Sequence, residues 1–237
     1  MIKNIAVILC MVTCMSISLC HAQYEGLFSV EKYAQYYDLA PDYTVTPENV
    51  VNELTKIYQE AAGKDYIGEQ VSQLEHALQA AHQAMLAQKN DPSIDNDNII
   101  AALLHDIGHG YAGKNLREMD GFGVVEHDKI GGAFLAARGF SAKVVNLVAG
   151  HVDAKRYRVF KDKNYHDQLT YASQQTLIRQ GGPMTAQEAT SFENNPYFAH
   201  ILLIRSWEEK AKTPGALTPD FEFFKIIILE HLRVHQK

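Results

Sequence analysis

The sequence predicts an all-α helical bundle. Three observations carry that expectation: apolar residues recur at helical spacing along the chain, helix-start signatures precede those runs, and no alternating apolar run lies beside a hairpin turn. The 237 residues, 46% hydrophobic and 21% charged, suit one domain with a sizeable core rather than two. A net charge of -6 disfavours a nucleic-acid partner, whose binders present basic surfaces. It leaves small anions open, because a local cluster of Lys, Arg and His can oppose the global sign.

Residues 1–22 read as a secretory leader. Lys3 gives the positive start, Ile5 to Leu19 form an uncharged apolar stretch, and Cys20-His21-Ala22 offers a cleavage site before Gln23. The chain is therefore expected to be exported, to a periplasm, with residues 23–237 as a single domain. No later segment approaches the roughly 20 apolar residues of a membrane span, so no membrane contact is expected after leader removal. Cys10, Cys14 and Cys20 all fall inside the leader. A metal in the mature chain would rest on imidazole and carboxylate, which suits iron, manganese or zinc.

The helices follow in order. Thr46-Pro47 opens one with Val50, Val51, Leu54 and Ile57 on one face. Ser72 with Glu75 forms a capping box for a helix to about Gln88. Asn98 to His105, carrying Ile99, Ile100, Ala101, Ala102, Leu103 and Leu104, reads as buried. Glu126 to Arg138 is stopped by Gly139, and Ser141 caps a helix to about His151. Thr185 with Glu188 caps a short helix, Asn195 to Lys212 makes a longer one, and Thr218-Pro219 opens the last. Two Gly-containing stretches, Gly108 to Gly123 and Arg179 to Met184, are candidate active-site loops. Neither has the spacing of a phosphate-binding Gly-loop.

The chemistry concentrates at His105-Asp106. A polar pair after an apolar run is costly unless satisfied. Adjacent helical residues point about 100° apart, so the imidazole can serve one metal while the carboxylate bridges two. An isolated His-Asp pair is more often a hydrogen-bonded helix end. Here His76 lies on the preceding helix, His127 follows His105 by 22 residues, and His151 follows His127 by 24. Histidines and an aspartate converging from separate helices are how bundle cores build metal sites. His82, His166, His200, His231 and His235 fit no such pattern and read as surface or capping residues. Cations sit one turn from these ligands: His109 four after His105, Lys155 four after His151, and Arg205 three before Glu208. They suit a doubly charged anion, Arg in bidentate fashion.

The H…HD…H…H string resembles the HD-domain superfamily. Flanking segments narrow the resemblance: Tyr66-Ile67-Gly68-Glu69, Val71 to Gln79, His105-Asp106-Ile107-Gly108-His109, His127-Asp128, Gly150 to Tyr157, Gln180 to Met184, and Arg205-Ser206-Trp207-Glu208. They are similar to the diiron oxygenase branch, in particular 2-amino-1-hydroxyethylphosphonate dioxygenases (glycine-forming) and their trimethylammonium-phosphonate relatives, over about residues 46–212. The resemblance implies an HD-domain bundle with a two-metal site in its core. It implies two irons, Fe2+ and Fe3+, bridged by Asp106, and dioxygen as co-substrate. His105 and a distal carboxylate would complete one iron, while His76, His127 and His151 would serve the other or be shared. The reaction implied is oxidative cleavage of the carbon–phosphorus bond of a small hydroxylated aminophosphonate, giving phosphate and a carboxylic acid. Tyr66 would plug an iron site until substrate arrives, and Glu69 would meet the substrate's ammonium group. His109, Lys155, Ser173, Thr176 and Arg205 would hold the phosphonate. The chain departs from the family at Glu208, where an Asp is usual, so this ligand is one methylene longer. The competing readings are an HD-domain metal-dependent phosphohydrolase acting on phosphate esters, and a non-catalytic binder of phosphonate or metal.

Overall fold

The computed structural model describes residues 29–36, 43–62, 64, 66, 68–110 and 116–236. The leader expected over residues 1–22 lies outside them. The described elements are α1 (Val30–Tyr33) with a 3-10 turn (Ala34–Tyr36), α2 (Pro47–Ala61), α3 (Gln73–Gln88), α4 (Asn96–Leu104), α5 (Ile107–Gly110), α6 (His127–Ala136), α7 (Ala142–Lys161), α8 (Lys163–Gln168), α9 (Tyr171–Arg179), α10 (Ala186–Glu193), α11 (Phe198–Lys210) and α12 (Phe221–His235). Among the described residues no strand forms, only an isolated bridge between Glu118 and Val124. No described helix is long and apolar enough to cross a membrane.

The bundle that carries the site is α3, α4, α6, α7 and α11. Helix α7 packs on α6, α4 and α11, and α3 packs on α4 and α11. Leu103, Leu104, Phe134, Leu135, Leu147, Val148, Ile201 and Ile204 fill the space between them and are fully buried. Each such side chain contributes about 1.5–3 kcal/mol by leaving water. The site is thus held by the part of the fold that is hardest to deform.

Local chemistry places the helix starts. The Ser72 hydroxyl accepts from Glu75 N at 3.1 Å while Ser72 N donates to Glu75 Oε2 at 2.7 Å, the expected reciprocal cap. Helix α4 begins at Asn96, two residues before the expected Asn98, because Asp95 and Asn98 form a second capping box. Helix α6 starts at His127, since Glu126 takes a left-handed φ of 56° and cannot be helical. Asp220 caps α12, so that helix opens at Phe221 rather than at Thr218-Pro219.

Two expectations need correction. Helix α7 continues ten residues beyond His151, to Lys161. Gly150 lies inside it: a Cβ there would meet Ile201 Cδ1 at 2.8 Å, so the glycine allows α11 to approach. His231 is not a surface residue. It is buried, stacks on Phe140 with centroids 5.5 Å apart, and sits 3.0 Å from Asp97, tying α12 to α4.

Candidate metal centre

The site begins at the end of α4. His105 caps α4 with its backbone still helical, and after Asp106 the chain enters the short α5. Gly108 lets α5 pass close to α6, because a Cβ there would lie 2.0 Å from the His127 carbonyl oxygen. Gly131 relieves the other side of the crossing, where a Cβ would meet Ile107 Cγ2 at 3.1 Å. Two glycines therefore bring the start of α6 against Asp106.

The four sequence-predicted histidines converge on that carboxylate in two pairs. Asp106 Oδ2 lies 3.2 Å from His105 Nε2 and 3.7 Å from His76 Nε2. Asp106 Oδ1 lies 3.3 Å from His127 Nε2 and 3.5 Å from His151 Nε2. Within each pair the two Nε2 atoms are 3.1 Å apart. His76 is thus grouped with His105, not with His127 and His151.

The other ring nitrogens explain why these pairs need a cation. The Nδ1 atoms of His76, His105 and His151 each lie 2.8 Å from a backbone carbonyl oxygen, of Ala211, Ala102 and Val148. His127 Nδ1 is 3.3 Å from Val124 O. A carbonyl only accepts, so each Nδ1 carries the proton and each neutral ring turns a bare Nε2 inward. Two lone pairs 3.1 Å apart cannot hydrogen-bond to one another. Asp106 Oδ2 and Glu208 Oε2 are also buried without a hydrogen-bond donor. A centre built of acceptors around a carboxylate fits metal ions, and the backbone carbonyls provide the outer support such ligands use. The cluster's pull on positive charge shows in its titration as well: burial opposes a charge on His105, yet Asp106 raises its pKa to about 9, so a proton on that ring and a metal beside it would compete for the same place. Burial would raise the Asp106 carboxyl too, but the neighbouring His105 holds it well below its ordinary range.

A cavity of about 50 Å³ opens beside the cluster, lined by Asp106, His127 and His151 on one side and by the expected anion-binding residues on the other. Lys155 is buried there and donates to Thr176 Oγ1 at 2.8 Å. Burial, aided by the charge of Arg205, lowers its pKa to about 7. Arg205 pairs with Glu208 through Nη1 and donates through Nε to Tyr165 Oη at 3.0 Å, while its buried Nη2 has no partner. His109 stacks on His127 with centroids 3.9 Å apart, and its Nδ1 accepts from Val124 N at 3.0 Å. Its proton is therefore on Nε2, which makes it a donor to a ligand and not a ligand to a metal. Burial, with His127 stacked against it, depresses its pKa to about 3 and keeps it neutral. Ser173 lines the same cavity, whereas the Thr176 hydroxyl donates to Ser173 O and serves mainly to place Lys155. Tyr66 stacks on His76, with centroids 3.9 Å apart. Burial and the charge of Asp106 keep its phenol protonated, well above its ordinary pKa. Glu208 lines the same cavity: one oxygen is held by Arg205 and the other is buried without a partner.

Three features escaped the sequence reading. Lys212, expected only as a helix end, lines the cavity and sits 2.6 Å from Glu69. Lys129 is locked between Asp128 at 3.3 Å and Asp153 at 2.6 Å, which fixes α6 to α7 directly behind His127 and His151. Helix α9, which brings Ser173 and Thr176 to the cavity, was not foreseen because its sequence is largely polar. For Lys129 the signal was only partial: Asp128 stands beside it in sequence, but Asp153 is 24 positions away on the next helix.

The comparisons with known proteins agree with this geometry. The HD domain family model matches residues 74–180. Hydroxymethylphosphonate dioxygenase of Gimesia maris is 37% identical over 191 residues, covering 78% of this chain and 91% of that protein. The glycine-betaine-forming [1-hydroxy-2-(trimethylamino)ethyl]phosphonate dioxygenase of Leisingera caerulea is 33% identical, covering 79% of this chain and 92% of that one. An uncharacterised protein of Acanthamoeba polyphaga mimivirus, L432, is 36% identical over 183 residues, covering 77% and 81%.

Proposed function

The chain belongs to the HD-domain phosphonate dioxygenase family, and from that premise we propose that it oxidatively cleaves the carbon–phosphorus bond of a small hydroxylated phosphonate. The products are phosphate and a carboxylic acid, and the balance takes up one dioxygen per substrate. One observation carries the reading: the His–Asp cluster and Arg205, whose buried Nη2 has no partner, line the same small cavity. The cluster suits cations and the arginine suits an anion, as a phosphonate bound next to metals requires.

We assign one metal to His76, His105 and Asp106 Oδ2, the other to His127, His151 and Asp106 Oδ1, with Glu208 Oε2 available to the centre. A pair of irons, Fe2+ and Fe3+, would supply dioxygen activation there. The chain's own residues bind and orient. Arg205 Nη2, His109 Nε2–H and Lys155 Nζ donate to the phosphonate oxygens. Lys155, poised near neutrality when the cavity is empty, keeps its proton once a dianion lies beside it. Ser173 and Thr176 hold the wall and the position of Lys155. Tyr66, flat against His76, closes one side of the cluster against water. Residues 1–22, read as a leader, would export the chain, which would then acquire its metals outside the inner membrane.

The test is to mix iron-loaded, anaerobically purified protein with hydroxymethylphosphonate or 2-amino-1-hydroxyethylphosphonate and follow dioxygen uptake and phosphate release together. Matched uptake and release is the expected result. Phosphate from an ester without uptake would make the protein a phosphohydrolase instead.

A further inference from the structure

We propose that Lys212 is a built-in counter-ion for Glu69 that sets the substrate class, so that the site takes hydroxyphosphonates lacking an ammonium group. The inference rests on the oxygenase reading above. Glu69 is the carboxylate that would meet a substrate ammonium, and Lys212 Nζ already lies 2.6 Å from its Oε1. Both side chains are largely out of water, at 15% and 12% exposure. Lys212 Nζ also reaches Thr170 Oγ1 at 3.4 Å and lies 5.9 Å from the Tyr66 ring centroid, so it sits within the wall of the site.

The backbone shows that this placement is fixed. The carbonyl of Ala211 is 2.8 Å from His76 Nδ1. Thr213 exchanges two hydrogen bonds with the Gln79 side chain, its N donating to Oε1 at 3.0 Å and its O accepting from Nε2 at 2.9 Å. The segment around Lys212 is thus clamped to α3 on both sides of the lysine, once through a histidine of the metal cluster. An ordinary surface lysine has no such restraint.

Charge then points the same way. Glu208 is held by Arg205 and Glu69 by Lys212, so the donors left for a ligand are Lys155, His109 and the Arg205 Nη2. They suit the phosphonate end alone. A substrate ammonium would have to share one poorly solvated carboxylate with Lys212, or displace it. Like charges crowded at a desolvated site are how a pocket rejects the wrong ligand. Lys212 also lines an adjoining cavity of about 210 Å³, toward which it would have to withdraw to free Glu69 for a substrate ammonium.

The experiment measures kcat/KM for hydroxymethylphosphonate and for 2-amino-1-hydroxyethylphosphonate by dioxygen uptake. The iron-loaded wild type is compared with Lys212→Met, Lys212→Gln and Lys212→Arg. The wild type is expected to prefer hydroxymethylphosphonate by about tenfold or more, the low end of what one small substituent gives. Either neutral variant should move that ratio about tenfold toward the aminophosphonate, and Lys212→Arg should hold it. Two neutral variants are used so that one poorly folded protein does not decide the matter. A wild type that prefers the aminophosphonate, or a ratio unmoved in a folded neutral variant, overturns the counter-ion role while leaving the oxygenase intact. Turnover of neither compound by any form removes the oxygenase reading and this inference with it.

Discussion

Replacing Lys155 by methionine keeps the aliphatic stem and removes the charge. In the folded protein, burial and the charge of Arg205 lower the Lys155 pKa from 10.5 to about 7. Below pH 7 the lysine is protonated both folded and unfolded, so the full cost of burying its charge falls on the native state. Between pH 7 and about 10.5 the unfolded chain binds the proton and the native chain does not, so stability rises with pH. At about 1.36 kcal/mol per pH unit, the distance from 10.5 to about 7 corresponds to roughly 5 kcal/mol. Loss of the hydrogen bond to Thr176 offsets about 1 kcal/mol of what methionine would recover. Lys155→Met is therefore expected to be more stable than wild type at pH 6, and about 2–3 kcal/mol of that advantage should vanish by pH 9. Thermal unfolding of both proteins at the two pH values reads this as a melting-temperature gap that narrows by roughly 5–10 °C. A gap of equal size at pH 6 and pH 9 would refute the reasoning. The same variant should lose affinity for phosphonate, since the group that costs stability is the one that faces the ligand.

What was legible in the sequence follows from where the physics is local. Capping boxes at Ser72 and Thr185 and the caps at Thr46 and Ser141 depend on residues three apart, and the helices begin where these say. The convergence of His76, His105, His127 and His151 on Asp106 was legible because a histidine facing a core has few inexpensive alternatives. Their pairing was not, for it depends on how α5 crosses α6, which Gly108 decides through a contact with His127 that no spacing reveals. The length of α7 was not legible either: it runs on past His151 with Gly150 inside it, where the missing Cβ leaves room for Ile201 of α11, a contact no spacing reveals. Lys212 was unreadable as a site residue because its partner Glu69 is 143 positions away. Its role depends on Ala211 and Thr213 being clamped to α3.

Two further perturbations test the centre itself. Asp106→Ala removes the one carboxylate whose two oxygens face both imidazole pairs, so metal analysis of the purified variant should find neither metal; two retained metals per chain would sink the bridging role. Gly108→Ala leaves every proposed ligand in place yet should also empty the site. Its Cβ would stand 2.0 Å from the His127 carbonyl oxygen and 3.0 Å from Gly131 N, and both neighbours are backbone, so no side chain can swing aside. Relief requires α5 and the start of α6 to separate, which carries His127 away from Asp106 Oδ1. Because α3, α4 and α7 are packed independently of that crossing, the helical circular-dichroism signal should persist while metal content falls. Wild-type metal content in a folded Gly108→Ala protein would show that the glycine crossing does not hold the two halves of the centre together.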